Sequence, residues 1–140
     1  MDASRRKQWL RTVILFGMLY VVVGIALGEL ANRAALSQIR AWRLAAWVIS
    51  TVAFAAHIMY EHFRLRSSPV TTALHASLAI ALGAFLLAVA ANIHGQRVAS
   101  SHQKALALAL VAWPVLTAIP AFVAALIASA VLTLLRRRST

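Results

Sequence analysis

Cysteine is absent from this 140-residue chain, which excludes disulfides, thiolate metal sites and cysteine nucleophiles. Acidic residues are nearly as scarce: Asp2, Glu29 and Glu61 are the only three. With so few carboxylates, and Asp2 in a tail, no paired-carboxylate site is expected. No glycine-rich phosphate loop and no nucleophile elbow occurs, so the common soluble enzyme classes are not indicated. Charged residues of either sign make up only 12% of the chain, against roughly 25% in an ordinary soluble domain.

What fills the sequence instead is apolar. Hydrophobic residues account for 62%, and the mean hydropathy is +0.81. A soluble protein of this size needs more polar surface to cover its core, so an integral membrane protein is expected. The formal net charge is +11. The cations lie between apolar runs, which points to anionic lipid head groups as partners rather than to nucleic acid.

Residues 12–28, 44–60, 67–96 and 105–135 contain no Asp, Glu, Lys or Arg. Each supplies the ~20 residues that cross a ~30 Å hydrocarbon layer once interfacial residues are added. Runs such as "YVVVGIAL" and "LAIALGAFLLAVAA" do not alternate as barrel strands must. The fold class expected is therefore all-α. It is a single integral-membrane four-helix bundle of up-down topology, with helices over about 10–30, 42–63, 69–93 and 105–135. The first span also has features of a secretory signal, since "SRRKQWL" carries a serine and paired arginines. Gln8 and Trp9 depart from the twin-arginine pattern and the apolar run exceeds a signal core, so a retained span is expected.

Cation bias sets orientation. Arg5, Arg6, Lys7, Arg11, Arg64, Arg66, Arg136, Arg137 and Arg138 fall on one side. Arg33, Arg40, Arg43, Arg97 and Lys104 fall on the other. Nine against five places both termini in the cytoplasm, with the chain multi-pass in an inner or plasma membrane. The margin leaves dual insertion open. Trp9, Trp42, Tyr60 and Phe63 lie near span ends, as an aromatic belt would. Small residues are expected to carry the packing: Gly17, Gly24, Gly28 and Ala31 on helix 1, including a Gly24-x-x-x-Gly28 spacing, and Ala76, Ala79, Gly83 and Ala90 on helix 3. In helix 4, Pro114 and Pro120 withdraw hydrogen bonds from the carbonyls of Leu110 and Leu116, and Thr117 is placed to compensate.

Ionisable residues inside such spans are the candidates for function, because a charge near mid-bilayer costs ~2.5–3.5 kcal/mol or more. On helix 2, Ser50, His57, Glu61 and Arg64 fall on one stripe. His57 and His75 lie at equal distance from the turn near residue 66, and so at similar depth. Three functional readings follow. The leading one is a small transporter, channel or carrier for an ion or small molecule, built on His57, Glu61 and His75. Arg64 would be the charge partner and Ser50 a polar lining residue. The second is a redox protein, binding a metal through His57, His62, His75 and Glu61 or a haem between His57 and His75. The third is a non-catalytic membrane scaffold. A homo-oligomer is expected, since four helices alone enclose little space. The plainer alternative is that Glu61, His62 and Arg64 snorkel to the head groups while the histidines bond neighbouring helices.

"HIMYEH" resembles one histidine box of the membrane desaturase and hydroxylase families. The resemblance covers six residues. Those enzymes use about eight histidines around two irons, and this chain has five, so a di-iron site does not follow. At the opposite end, Glu29 and Arg33 are expected to pair at i,i+4, and His94 and His102 to be solvated.

Overall fold

A computed structural model describes residues 3–97 and 103–138. Four helices carry the described residues: α1 (Ala3–Arg33), α2 (Leu36–Phe63), α3 (Pro69–Arg97) and α4 (Gln103–Arg138). Each is long and apolar enough to cross a membrane. They extend beyond the charge-free runs because the Arg, Lys and Gln at their flanks are themselves good helix formers. Hydrophobicity locates the span, whereas propensity carries the helix past it. Asp2 and His102 lie outside the described residues.

Small residues are inside and large ones outside. Ala73, Ala76, Ala79 and Ala125 are fully buried. Leu15, Leu36, Trp47 and Val111 are among the many large apolar side chains that face outward. This distribution is the reverse of a water-soluble core. It follows from a solvent as oily as leucine, in which close backbone approach contributes more than hiding side chains.

α3 is the central element. Its packing is most extensive against α4 and α1, α1 also packs on α2, and α1 and α4 do not pack directly. On the α1 side, Gly17 lies beside Ala79 and Leu82, Tyr20 against Gly83, and Gly24 against Leu87. These positions advance together along the two helices. On the other side, Ala73, Ala76, Ala125 and Ile58 form a core cluster flanked by Phe122 and Leu126. Asn92 Nδ2 donates to Leu106 O at 2.6 Å near the far end of α3, so positions on α3 and α4 advance in opposite senses.

The glycines divide by use. Gly17, Gly24 and Gly83 sit where a Cβ would meet the neighbouring helix within about 3 Å, whereas Gly28 has nothing within 4 Å. Gly24-x-x-x-Gly28 is thus not the contact motif within the chain. The close approach uses Gly17, which lies against Ala79, Leu82 and Gly83, and Gly24, two turns on, which lies against Leu87. Prolines 114 and 120 are accommodated inside α4 without ending it. The Thr117 hydroxyl donates to the carbonyls of Trp113 and Pro114, at 2.9 and 3.1 Å, rather than to those of Leu110 or Leu116.

The α2–α3 turn is tightly specified. Arg66 has φ of 51°, a left-handed conformation that costs a non-glycine residue roughly 1–2 kcal/mol. The reversal returns Ser67 over the end of α2, where its amide donates to Glu61 O at 3.2 Å. Ser68 then caps α3, accepting from the Thr71 amide at 3.2 Å. Pro69 follows at the first helical position, where its missing N–H costs nothing.

Candidate functional site

Where α2 ends and α3 begins, a carboxylate is sealed inside the bundle. Glu61 is 0% exposed and shares this end with His57, also 0% exposed, one turn earlier on α2. His75 Nδ1 lies 3.1 Å from Glu61 Oε1. Ser67 Oγ donates to Oε2 at 2.8 Å. His57 Nε2 stands 3.9 Å from Oε1, an electrostatic contact too long for a hydrogen bond. Both histidines therefore approach one oxygen, and the serine holds the other.

Aromatic rings of α1 cover both imidazoles. Phe16 stacks on His57 with centroids 4.3 Å apart, and Trp9 stacks on His75 at 4.8 Å, each within 6° of parallel. Residues 9 and 16 are seven apart, two turns along one face of α1. This helix thus closes the site without adding a polar group to it. Trp9 Nε1 is itself buried without a hydrogen-bond partner.

The arrangement can store a proton. An unpaired carboxylate buried here would be costly. One proton shared between Glu61 and His75 makes the pair neutral as a unit. A second proton has a seat on His57, which faces the same oxygen and has no other partner on either ring nitrogen. The cluster thus sets one carboxylate and two imidazoles within contact distance, covered by the aromatic rings of α1. Loss of the Ser67 donor removes one charge-assisted bond to a buried acceptor. Ser67→Ala is expected to destabilise the protein by about 1–2 kcal/mol, read as a lower thermal midpoint in detergent with the helical spectrum intact.

The remaining candidates sit elsewhere. Arg64 is exposed and is not among the partners of Glu61. Ser50 lies two turns from His57 and lines a separate cleft. His62 is buried on a different face of α2, one turn beyond Ile58, with Phe63 edge-on to its ring. Among the described residues, no group of three or more His, Asp or Glu side chains is arranged to hold a metal ion. His57 and His75 converge on the carboxylate of Glu61, so a porphyrin could lie between them only by displacing it. At the opposite end, Glu29 and Arg33 form the expected pair at 3.7 Å, well exposed. His94 is exposed there.

Two features went unread in the sequence. Ser67 reaches Glu61 only through the left-handed turn at Arg66. Trp9 covers His75 through the packing of α1 on α3, and Phe16 covers His57 through the packing of α1 on α2. Their seven-residue spacing was visible, but nothing in it named the rings they would meet.

Apart from the Glu61 cluster, a cleft of about 470 Å³ with largely apolar walls is touched by all four helices. Tyr20, Trp47, Phe54 and Leu87 line it, together with the proline-bearing stretch of α4 at Trp113, Thr117 and Pro120. The Tyr20 hydroxyl is buried and has no hydrogen-bond partner. No family model, curated protein or solved structure matches this chain.

Proposed function

We propose that the protein is a small membrane carrier in which Glu61, with His57 and His75, binds and releases the coupling proton. The observation that carries this reading is a carboxylate buried within a spanning helix and contacted by two imidazoles. An apolar residue would serve the packing of that position at lower cost. In this reading the bundle is up-down, with both termini cytoplasmic. The contact registers of α3 with α1 and α4 support the first part and the cation bias the second. The histidine cluster then lies in the cytoplasmic half, and the apolar cleft opens nearer the middle. A second copy of the chain against the open side of the cleft would complete its wall, so the working unit is a homo-oligomer.

The test is proton uptake into proteoliposomes with an encapsulated pH dye, driven by a potassium gradient and valinomycin. Uptake by the wild type no faster than by protein-free vesicles would end the proposal.

The cleft is the seat for the transported molecule, of mainly apolar character with one hydrogen-bond acceptor for Tyr20. Its volume lies in the range of small-molecule sites. Benzophenone and diphenylmethane differ by one carbonyl and are suitable probes. Tyr20→Phe is expected to weaken benzophenone binding about 2- to 10-fold, the worth of one neutral hydrogen bond, and to leave diphenylmethane unchanged. Tryptophan quenching reads both affinities, since Trp47 and Trp113 border the cleft. Equal losses for the two probes would remove the assigned role of the hydroxyl.

A further inference from the structure

Apart from Tyr20 at the cleft and Trp9 over His75, three buried polar side chains outside the Glu61 cluster have no protein partner. They are both ring nitrogens of His62, Thr72 Oγ1 and Ser129 Oγ. His62 is 6% exposed, and Thr72 and Ser129 are 0%. The two hydroxyls break a habit of this molecule. Thr12, Thr51, Ser77, Thr117 and Thr133 all donate to a carbonyl three or four residues back on their own helix. That is the ordinary recourse of a hydroxyl within a helix. Thr72 and Ser129 do not take it, although the carbonyl lies within the same turn.

Their placement is common as well. The core cluster contains Ile58 of α2, Ala76 of α3 and Ala125 of α4. His62 is four residues after Ile58, Thr72 four before Ala76, and Ser129 four after Ala125. Four residues keep a side chain on nearly the same face, one turn along. α3 is traversed in the opposite sense to α2, which it meets in a tight turn. It is likewise opposed to α4, as the Asn92–Leu106 and Ala76–Ala125 positions show. All three displacements therefore point the same way, toward the α2–α3 turn. Three helices each aim one unsatisfied polar group into the level just below a shared apolar cluster.

We infer that His62, Thr72 and Ser129 form a second binding site, occupied by water, which continues the polar layer of Glu61 across the bundle to α4. An imidazole and two hydroxyls supply both donors and acceptors. They match the two to four hydrogen bonds that a buried water makes. Within a transmembrane segment such groups are otherwise costly to leave unpaired. Glu61 and His62 are consecutive, and Thr72 is one turn from His75, so the two sites adjoin. Resting on the proton-carrier reading, the water connects the Glu61 cluster to the α4 side of the bundle.

Thr72→Val and Ser129→Ala remove the hydroxyls with little change of volume. If the hydroxyls bind water, each variant lowers the melting temperature by about 3 °C. The ring N–H of His62 in 15N-histidine-labelled protein also shows a water cross-peak that weakens in both variants, the peak being assigned by its loss in His62→Phe. If the hydroxyls are simply unsatisfied, removing them raises the melting temperature, and the His62 ring shows no water contact. Either result overturns the site. Proton uptake is expected to fall about tenfold in Ser129→Ala, less than the ~100-fold or more of a group that itself transfers the proton; unchanged uptake overturns its connecting role. These measurements are separable from the carrier reading, which fails on wild-type uptake at the protein-free rate or on undiminished uptake in Glu61→Gln, while the water cross-peak would remain.

Discussion

Glu61→Gln is expected to reduce proton uptake in proteoliposomes by about 100-fold or more, the low end of what a positioned proton-transfer group supplies. The substitution suits the geometry. Glutamine keeps an acceptor oxygen for His75 Nδ1, now 3.1 Å away, and an amide near Ser67 Oγ, now 2.8 Å away. It removes the charge and the titrating proton and little else. Glu61→Ala is a poorer test. It strips the buried partner from His75 and Ser67 at once, and breaking a buried pair by removing one member costs about 3–5 kcal/mol. His57→Phe, which retains the stack on Phe16, is expected to impair uptake while leaving the thermal midpoint near that of the wild type. Wild-type uptake rates in Glu61→Gln, with the protein folded, would show that the carboxylate is structural.

The second large effect is on packing. Gly83→Val is expected to destabilise the bundle by about 1–3 kcal/mol, the usual cost of overpacking. A Cβ at position 83 would lie 2.8 Å from Tyr20 Cβ and 3.2 Å from Gly17 O. Neither atom is the movable end of a side chain, so α1 and α3 must separate. Separation would also shift Trp9 and Phe16 from the histidines they cover, linking this contact to the site. Gly28→Ala is the control. It meets nothing within 4 Å and gains up to about 1 kcal/mol of helix propensity. Thermal unfolding in detergent separates the two, and a Gly83→Val protein as stable as Gly28→Ala would remove the α1–α3 contact from the account.

The candidate residues were legible because lipid makes ionisable groups conspicuous. His57 and Glu61 are neighbours by helical spacing alone, and His75 followed from counting outward from the hairpin. That count gives depth but not azimuth. Arg64 shares the stripe of Glu61 by the same arithmetic, yet it lies beyond the last turn of α2, where the chain reverses and its side chain turns outward. Ser50 shares the stripe too, but two turns before His57 it lines the cleft instead. The glycine motif misled for a related reason. Spacing identifies residues able to permit contact, and Gly28 has that capacity with no helix opposite it.

The amino-acid sequence by itself determined the number of helices long and apolar enough to cross a membrane, their approximate limits and the small set of polar residues within them. Those follow from apolar run length and charge scarcity, both of which are local. Only the tertiary structure decided which of the polar residues meet. That depends on the rotation of each helix about its axis and on the registers between them, set by Gly17, Gly24 and Gly83 between α1 and α3 and by Ala73, Ala76 and Ala125 between α3 and α4. Small residues direct close packing through what they lack, and an absent side chain does not specify its partner until the helices are in place.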